Sequence, residues 1–135
     1  MSSESIVNIV LRFYPDTEAI YLFGTYLTPE QHQDSDADIA VLLPYEKAKL
    51  VKNIAMSDCR DELETILKTT VDLINLRMVN TVFQNEIIQH DRIIYRKNER
   101  VVDEFEMQIL SSYQKLNDER AGIIADILET GRILK

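Results

Sequence analysis

The sequence predicts an α/β fold (of the α+β kind): one small mixed sheet flanked by helices, ending in a long C-terminal helix. Three observations lead there. Short apolar runs of strand length alternate with segments whose apolar residues recur every three or four positions. Glycine and proline are scarce, three of each in 135 residues, so no linker, repeat or low-complexity stretch divides the chain. An apolar fraction of 45% against 28% charged suits one globular domain over residues 1–135, long enough to bury a core without disulfides.

The elements follow in order. Ser3 can cap a helix running to about Phe13, with Ile6, Ile9 and Val10 on one side. Pro15 and Asp16 make a turn, and Ala19 to Phe23 is a short buried strand ending at Gly24. Thr28 to Ser35 is a polar loop. Asp36 to Leu43 reads as the second strand, stopped by Pro44. One long helical pattern then extends from about Glu46 to Lys68, carrying Leu50, Val51, Ile54, Leu63, Ile66 and Leu67. Val71 to Leu76 is a third strand, Thr81 to His90 a helix, and Arg92 to Tyr95 a short edge strand. Asn98 caps the last helix, which runs to about Thr130 with Gly131 as its stop. On it Val102, Phe105, Ile109, Tyr113 and Leu116 form one stripe. Core is the simplest role for that stripe; a docking face for a partner, or for a second copy in a homo-oligomer, is the sharper one.

Charge and targeting narrow the function classes. The formal net charge is −8, which disfavours DNA or RNA held along a broad surface, since such binding relies on Lys and Arg neutralising phosphates. A small phosphate compound carrying its own divalent metal is compatible, and an acidic surface can dock a basic protein. No run approaches the ~18 apolar residues a membrane helix needs. Met1 to Ser5 lacks the basic start and apolar stretch of a secretory signal, so a cytoplasmic location is expected. The single cysteine, Cys59, suits a reducing compartment and reads as a helix-face filler.

The chemistry concentrates in Phe23-Gly24-Thr25, ten residues, then Asp36-Ala37-Asp38. Alternation along a strand points Asp36 and Asp38 the same way, roughly 6.6 Å apart, and turns Ala37, Ile39, Val41 and Leu43 toward the core. Two carboxylates on one face repel unless a cation sits between them, and hard oxygen ligands suit Mg²⁺ or Mn²⁺. Asp72, inside the apolar third strand, would complete a three-carboxylate cluster if the strands are neighbours; such a cluster can hold two metals about 3.5–4 Å apart. Gly24 permits close backbone approach, and amides following it, with the Thr25 hydroxyl, can bind phosphate oxygens. Taken singly, each residue has a bland role: Asp36 a solvated loop residue, Gly24 a turn, Asp72 a partner for a Lys or Arg. A calcium loop starting at Asp34 is excluded, because its sixth and twelfth positions hold Ile39 and Tyr45 instead of Gly and Glu.

Gly24-Thr25, ten residues and Asp36-Ala37-Asp38 resemble the signature of the minimal nucleotidyltransferases of the DNA polymerase β-like superfamily, Gly-Ser, ten residues, Asp-x-Asp. The core of the resemblance runs from Tyr21 to Leu76. Among these proteins, the small size and long C-terminal helix look most like MntA-type antitoxins, partners of HEPT-domain toxins. The resemblance implies a nucleotidyltransferase-like fold, ATP as co-substrate, Mg²⁺ (two ions) as cofactor, and AMP transfer to a tyrosine of the cognate toxin, which silences it. It implies Asp36, Asp38 and Asp72 as catalytic metal ligands, Asp72 also as a candidate base, and Gly24 and Thr25 as nucleotide-binding residues. Thr25 departs from the usual serine; the hydroxyl survives, but the extra methyl narrows the phosphate turn. Two other functions stay open: an antitoxin that neutralises by binding alone, and a small-molecule nucleotidyltransferase, for which the chain leaves little room for an acceptor domain. Weaker candidates have ordinary roles in view: His32 solvent-exposed, His90 at a helix end, Asp34 turn-forming, Arg92 and Arg96 on the surface.

Overall fold

A computed structural model describes residues 3–23, 37–52, 54, 57–89 and 92–130, with side chains to 123. The predicted layout is present. Helix α1 (Ser3–Phe13) precedes β1 (Ala19–Phe23) and β2 (Ala37–Leu42); α2 (Tyr45–Val51) and α3 (Asp58–Leu67) lead to β3 (Val71–Asn75). A single 3₁₀ turn, Leu76–Met78, is followed by α4 (Thr81–Gln89), β4 (Arg92–Arg96) and α5 (Glu99–Thr130). The predicted loop over 28–35, His90 and the Gly131 stop lie outside the described residues.

The four strands are ordered β3-β2-β1-β4, with β1 antiparallel to both β2 and β4, and β2 parallel to β3. Helices cover both faces, which is why β2 reads as an almost continuous apolar run. On the first face Ile20, Leu22, Ala37, Ile39, Val41, Val71 and Leu73 pack against Ile6, Ile9 and Val10 of α1, Ala48 of α2, and Cys59 and Leu63 of α3. On the second, Ala19, Tyr21, Ala40 and Leu42 meet Ile87 of α4 and Val102, Phe105 and Ile109 of α5. Tyr21 also donates its hydroxyl to Glu106 Oε2 at 2.7 Å, tying α5 to the middle of the sheet.

Two local readings change. The helix expected from Glu46 to Lys68 is two helices. Lys52 leaves the helical region with φ 52°, and the Asn75 amide donates to the Ala48 and Lys52 carbonyls at 3.1 and 2.6 Å, satisfying the end of α2. Ser57 then caps α3, its hydroxyl accepting from the Arg60 N–H at 3.3 Å. The break leaves Leu50 79% and Ile66 52% exposed, although both belong to the apolar pattern. The stripe on α5 divides as well: Val102, Phe105 and Ile109 are core, whereas Tyr113 and Leu116 are half-buried and Ile123 is 52% exposed. At 32 residues, about 48 Å long, α5 outruns the sheet it covers.

Candidate active site

The site is built from strand register. Antiparallel pairing sets Phe23 opposite Asp38, and parallel pairing sets Asp38 opposite Asp72, so the three form one row across β1, β2 and β3. Register partners share a face, and adjacent strands lie about 4.8 Å apart. The next row on that face, Tyr21, Ala40 and Ile74, packs under α4 and α5. The acidic row therefore lies one step beyond the helical cover, with Asp38 half-buried and Asp72 exposed. The opposite parity behaves as predicted: Ala37, Ile39, Val41 and Leu43 are fully buried on the first face.

Phe23 closes one flank. Its ring meets Phe83 of α4 edge-on, with centroids 5.8 Å apart and planes at 83°. Phe83 is placed by the start of its helix, where its N–H donates to Asn80 Oδ1 at 2.9 Å. A cavity of ≈ 390 Å³ lies further along β3, toward its C-terminal end, lined by Lys52, Leu73, Ile74, Asn75, Met78 and Val79; neither Asp38 nor Asp72 lines it.

Electrostatics make the pairing of Asp38 with Asp72 notable. Two carboxylates about 5 Å apart repel by roughly 1–3 kcal/mol between bulk water and an effective dielectric of 20. A shared divalent cation reverses the sign, and an all-carboxylate donor set fits the hard ions Mg²⁺ and Mn²⁺. Asp36, Gly24 and Thr25 lie outside the described residues, and among the described residues no three acidic, histidine or cysteine side chains group as a metal site. Two of the three predicted carboxylates thus come together, and Gly24 is joined directly to the Phe23 end of the same row.

The remaining candidates among the described residues take structural roles. Cys59 is fully buried in the first core cluster, and burial pushes its thiol up to about 11, away from nucleophilic chemistry. Arg96 pairs with Asp103 at 3.6 Å. Arg92 sits opposite Leu22 on β4, and burial lowers its guanidinium from the ordinary value. Arg60 and Glu64 of α3, which the sequence reading passes over, grip the start of β3 beside Asp72. Their spacing of four marks a helical ion pair, but nothing in it shows a strand as the target.

Comparison with known proteins agrees with this layout. The polymerase beta nucleotidyltransferase family model matches residues 4–100. The chain is 33% identical to the protein adenylyltransferase MntA of Shewanella oneidensis over 129 residues, 95% of this chain and 88% of the relative. A crystal structure of a toxin–antitoxin with AMP-PNP contains a chain that superposes with a TM-score of 0.78 at 31% identity, covering 95% of this chain and 99% of that one. A re-refined structure of tri-AMPylated Shewanella oneidensis HEPN toxin in complex with MNT antitoxin matches with a TM-score of 0.72 at 30% identity, over 93% of this chain and 95% of that one. With its family match spanning most of the sequence and its paired aspartates on adjacent parallel strands, the chain belongs to the polymerase beta nucleotidyltransferase family.

Proposed function

We propose that this protein is an antitoxin that transfers AMP from ATP to a tyrosine of a HEPN-type toxin, the partner class expected above as a HEPT-domain toxin. The observation that carries the reading is the register pair Asp38–Asp72 in a chain of nucleotidyltransferase family. The likeness to an MntA adenylyltransferase supports the reaction class, and the likeness to an MNT antitoxin bound to an AMPylated toxin supports the acceptor class.

Asp38 and Asp72, with Asp36, would hold Mg²⁺. Bound there, Mg²⁺ supplies neutralisation of phosphate charge and activation of the acceptor hydroxyl. The protein's own groups do the rest. Gly24 and Thr25 hold the triphosphate through backbone amides and a hydroxyl. Phe23, to which Gly24 is joined, lies on one flank of Asp38, and Asp72 lies on the other. In-line displacement needs leaving group and attacking hydroxyl on opposite sides of the α-phosphorus; the first is assigned to Gly24 and Thr25 and the second to Asp72. Asp72 takes the proton of the tyrosine hydroxyl while the phenolic oxygen bonds to the α-phosphorus. The bond from that phosphorus to its bridging oxygen breaks, and pyrophosphate departs with the electron pair.

The test is incubation with the cognate HEPN toxin, ATP and magnesium, followed by intact mass measurement of the toxin. The expected result is a gain in whole AMP units, lost with Asp38→Asn and with Asp72→Asn. Labelling that persists in both variants contradicts the assignment. Full neutralisation by unlabelling Asp38→Asn would instead favour an antitoxin that acts by binding.

A further inference from the structure

Resting on the reading of Asp72 as a metal ligand, the geometry points to Arg60 and Glu64 as positioning residues that set the Asp72 carboxylate beside Asp38. Strand β3 is an edge strand. Ala37 pairs with Val71 and donates its N–H to the Thr70 carbonyl at 2.9 Å, so Thr70 and Asp72 turn their backbone groups toward β2. Val71 accordingly turns its N–H and C=O outward, where no further strand follows among the described residues. Two side chains of α3 occupy that place: Glu64 Oε2 accepts from the Val71 N–H at 2.9 Å, and Arg60 Nε donates to the Val71 carbonyl at 3.3 Å. Arg60 Nη2 and Glu64 Oε2 are themselves joined at 3.1 Å, with only 25% and 27% of the side chains exposed. Together they present the donor and acceptor that a neighbouring strand would offer.

The consequence for Asp72 is direct. The Val71 carbonyl belongs to the peptide group that leads into Asp72, so Arg60 holds one side of that plane while β2 holds the other. The clamp spans the whole turn between α3 and β3, through Lys68 at φ 57°. It is anchored from below, since Cys59 and Leu63 of the same helix are fully buried. Glu64 is not itself a further ligand: its Oε2 is committed to Val71 and Arg60, and no metal-holding group of three forms among the described residues. Groups that orient a ligand from behind tune metal affinity without touching the metal.

The test uses Mn²⁺ binding, read by electron paramagnetic resonance with a non-hydrolysable ATP analogue, beside hydrogen exchange of the Val71 amide. Glu64→Ala is expected to weaken Mn²⁺ binding by about 10-fold and to deprotect Val71. Glu64→Gln keeps an oxygen for the Val71 N–H and should restore most of the affinity. Wild-type Mn²⁺ affinity in Glu64→Ala, with Val71 deprotected, would overturn the clamp. If Glu64→Ala fails to fold, Arg60→Ala carries the same expectation, and unchanged Mn²⁺ affinity there overturns it equally. Asp72→Asn separates the two readings. Unchanged Mn²⁺ binding in that variant sinks the ligand assignment and the clamp with it, whereas loss in Asp72→Asn but not in Glu64→Ala sinks the clamp alone.

Discussion

The two ends of the sheet treat carboxylates in opposite ways. Where β1 begins and β2 ends, Glu18 meets Arg77 at 2.6 Å, both side chains about four-fifths covered. That guanidinium also donates to the Leu43 carbonyl and lies over the Phe105 ring at 5.1 Å. At the other end, two carboxylates stand side by side in register, Asp38 and Asp72. The first arrangement matches an acid with an internal cation and ties the 3₁₀ turn to the start of β1, the end of β2 and α5. The second sets two carboxylates in register at the rim of the helical cover, the place proposed above for a metal ion. The first end reads as stability; the second is the proposed seat of the chemistry.

The largest expected effect follows from that division. Asp38→Asn and Asp72→Asn should each slow AMP transfer at least ~100-fold, the scale on which lost electrostatic stabilisation of a transition state is felt. Thermal melting of Asp72→Asn should hold steady or rise slightly, because the exposed carboxylate beside Asp38 is neutralised. A melting temperature that falls along with activity would erase the contrast between the ends. At the opposite end, Arg77→Ala should cost about 2–4 kcal/mol in denaturant unfolding, since it strands a largely covered carboxylate and frees a carbonyl. Its folded fraction should still transfer AMP at low temperature.

Smaller effects belong to the helices beneath. The Cys59 thiol is raised to about 11 by burial, and burial also raises Tyr14. Each group keeps its proton longer in the folded state than in the unfolded one. The unfolded chain therefore releases protons first as pH climbs past 9, and stability falls between there and about 11. Cys59→Ala should flatten that fall by roughly 1–3 kcal/mol in unfolding curves across the window. Least of all, Ser57→Ala removes the cap of α3 and should cost about 1 kcal/mol. Because α3 carries Arg60 and Glu64, a measurable weakening of metal binding in that variant would sharpen the link between helix and site.

Much of this was legible in the residues themselves. Ala-Ile-Tyr-Leu-Phe reads as a strand because it is short and apolar, and β1 spans those residues. The spacing from Gly24 to Asp38 carries the family, and parity along β2 separates Asp38 from its buried neighbours. What stayed hidden is set by contacts distant in sequence. The break between α2 and α3 depends on Asn75, 23 positions from Lys52, reaching back to that carbonyl. Apolar periodicity runs through the break because Leu50 and Ile66 continue it while facing solvent. Ser57-Asp58, a capping pair with an acid in the first turn, was the available signal. That β2 and β3 would be parallel neighbours, pairing Asp38 with Asp72, is a fact of topology no local pattern states.

A crystal structure of the protein with Mn²⁺ and a non-hydrolysable ATP analogue, recorded at a wavelength where manganese scatters anomalously, probes the acidic row itself. The expected map has an anomalous peak bridging Asp38 and Asp72, with carboxylate oxygens about 2.0–2.2 Å away, near the octahedral distances of Mg²⁺. A peak bound elsewhere, or one that Asp72 does not touch while nucleotide is present, would contradict the assignment of this row as the catalytic centre.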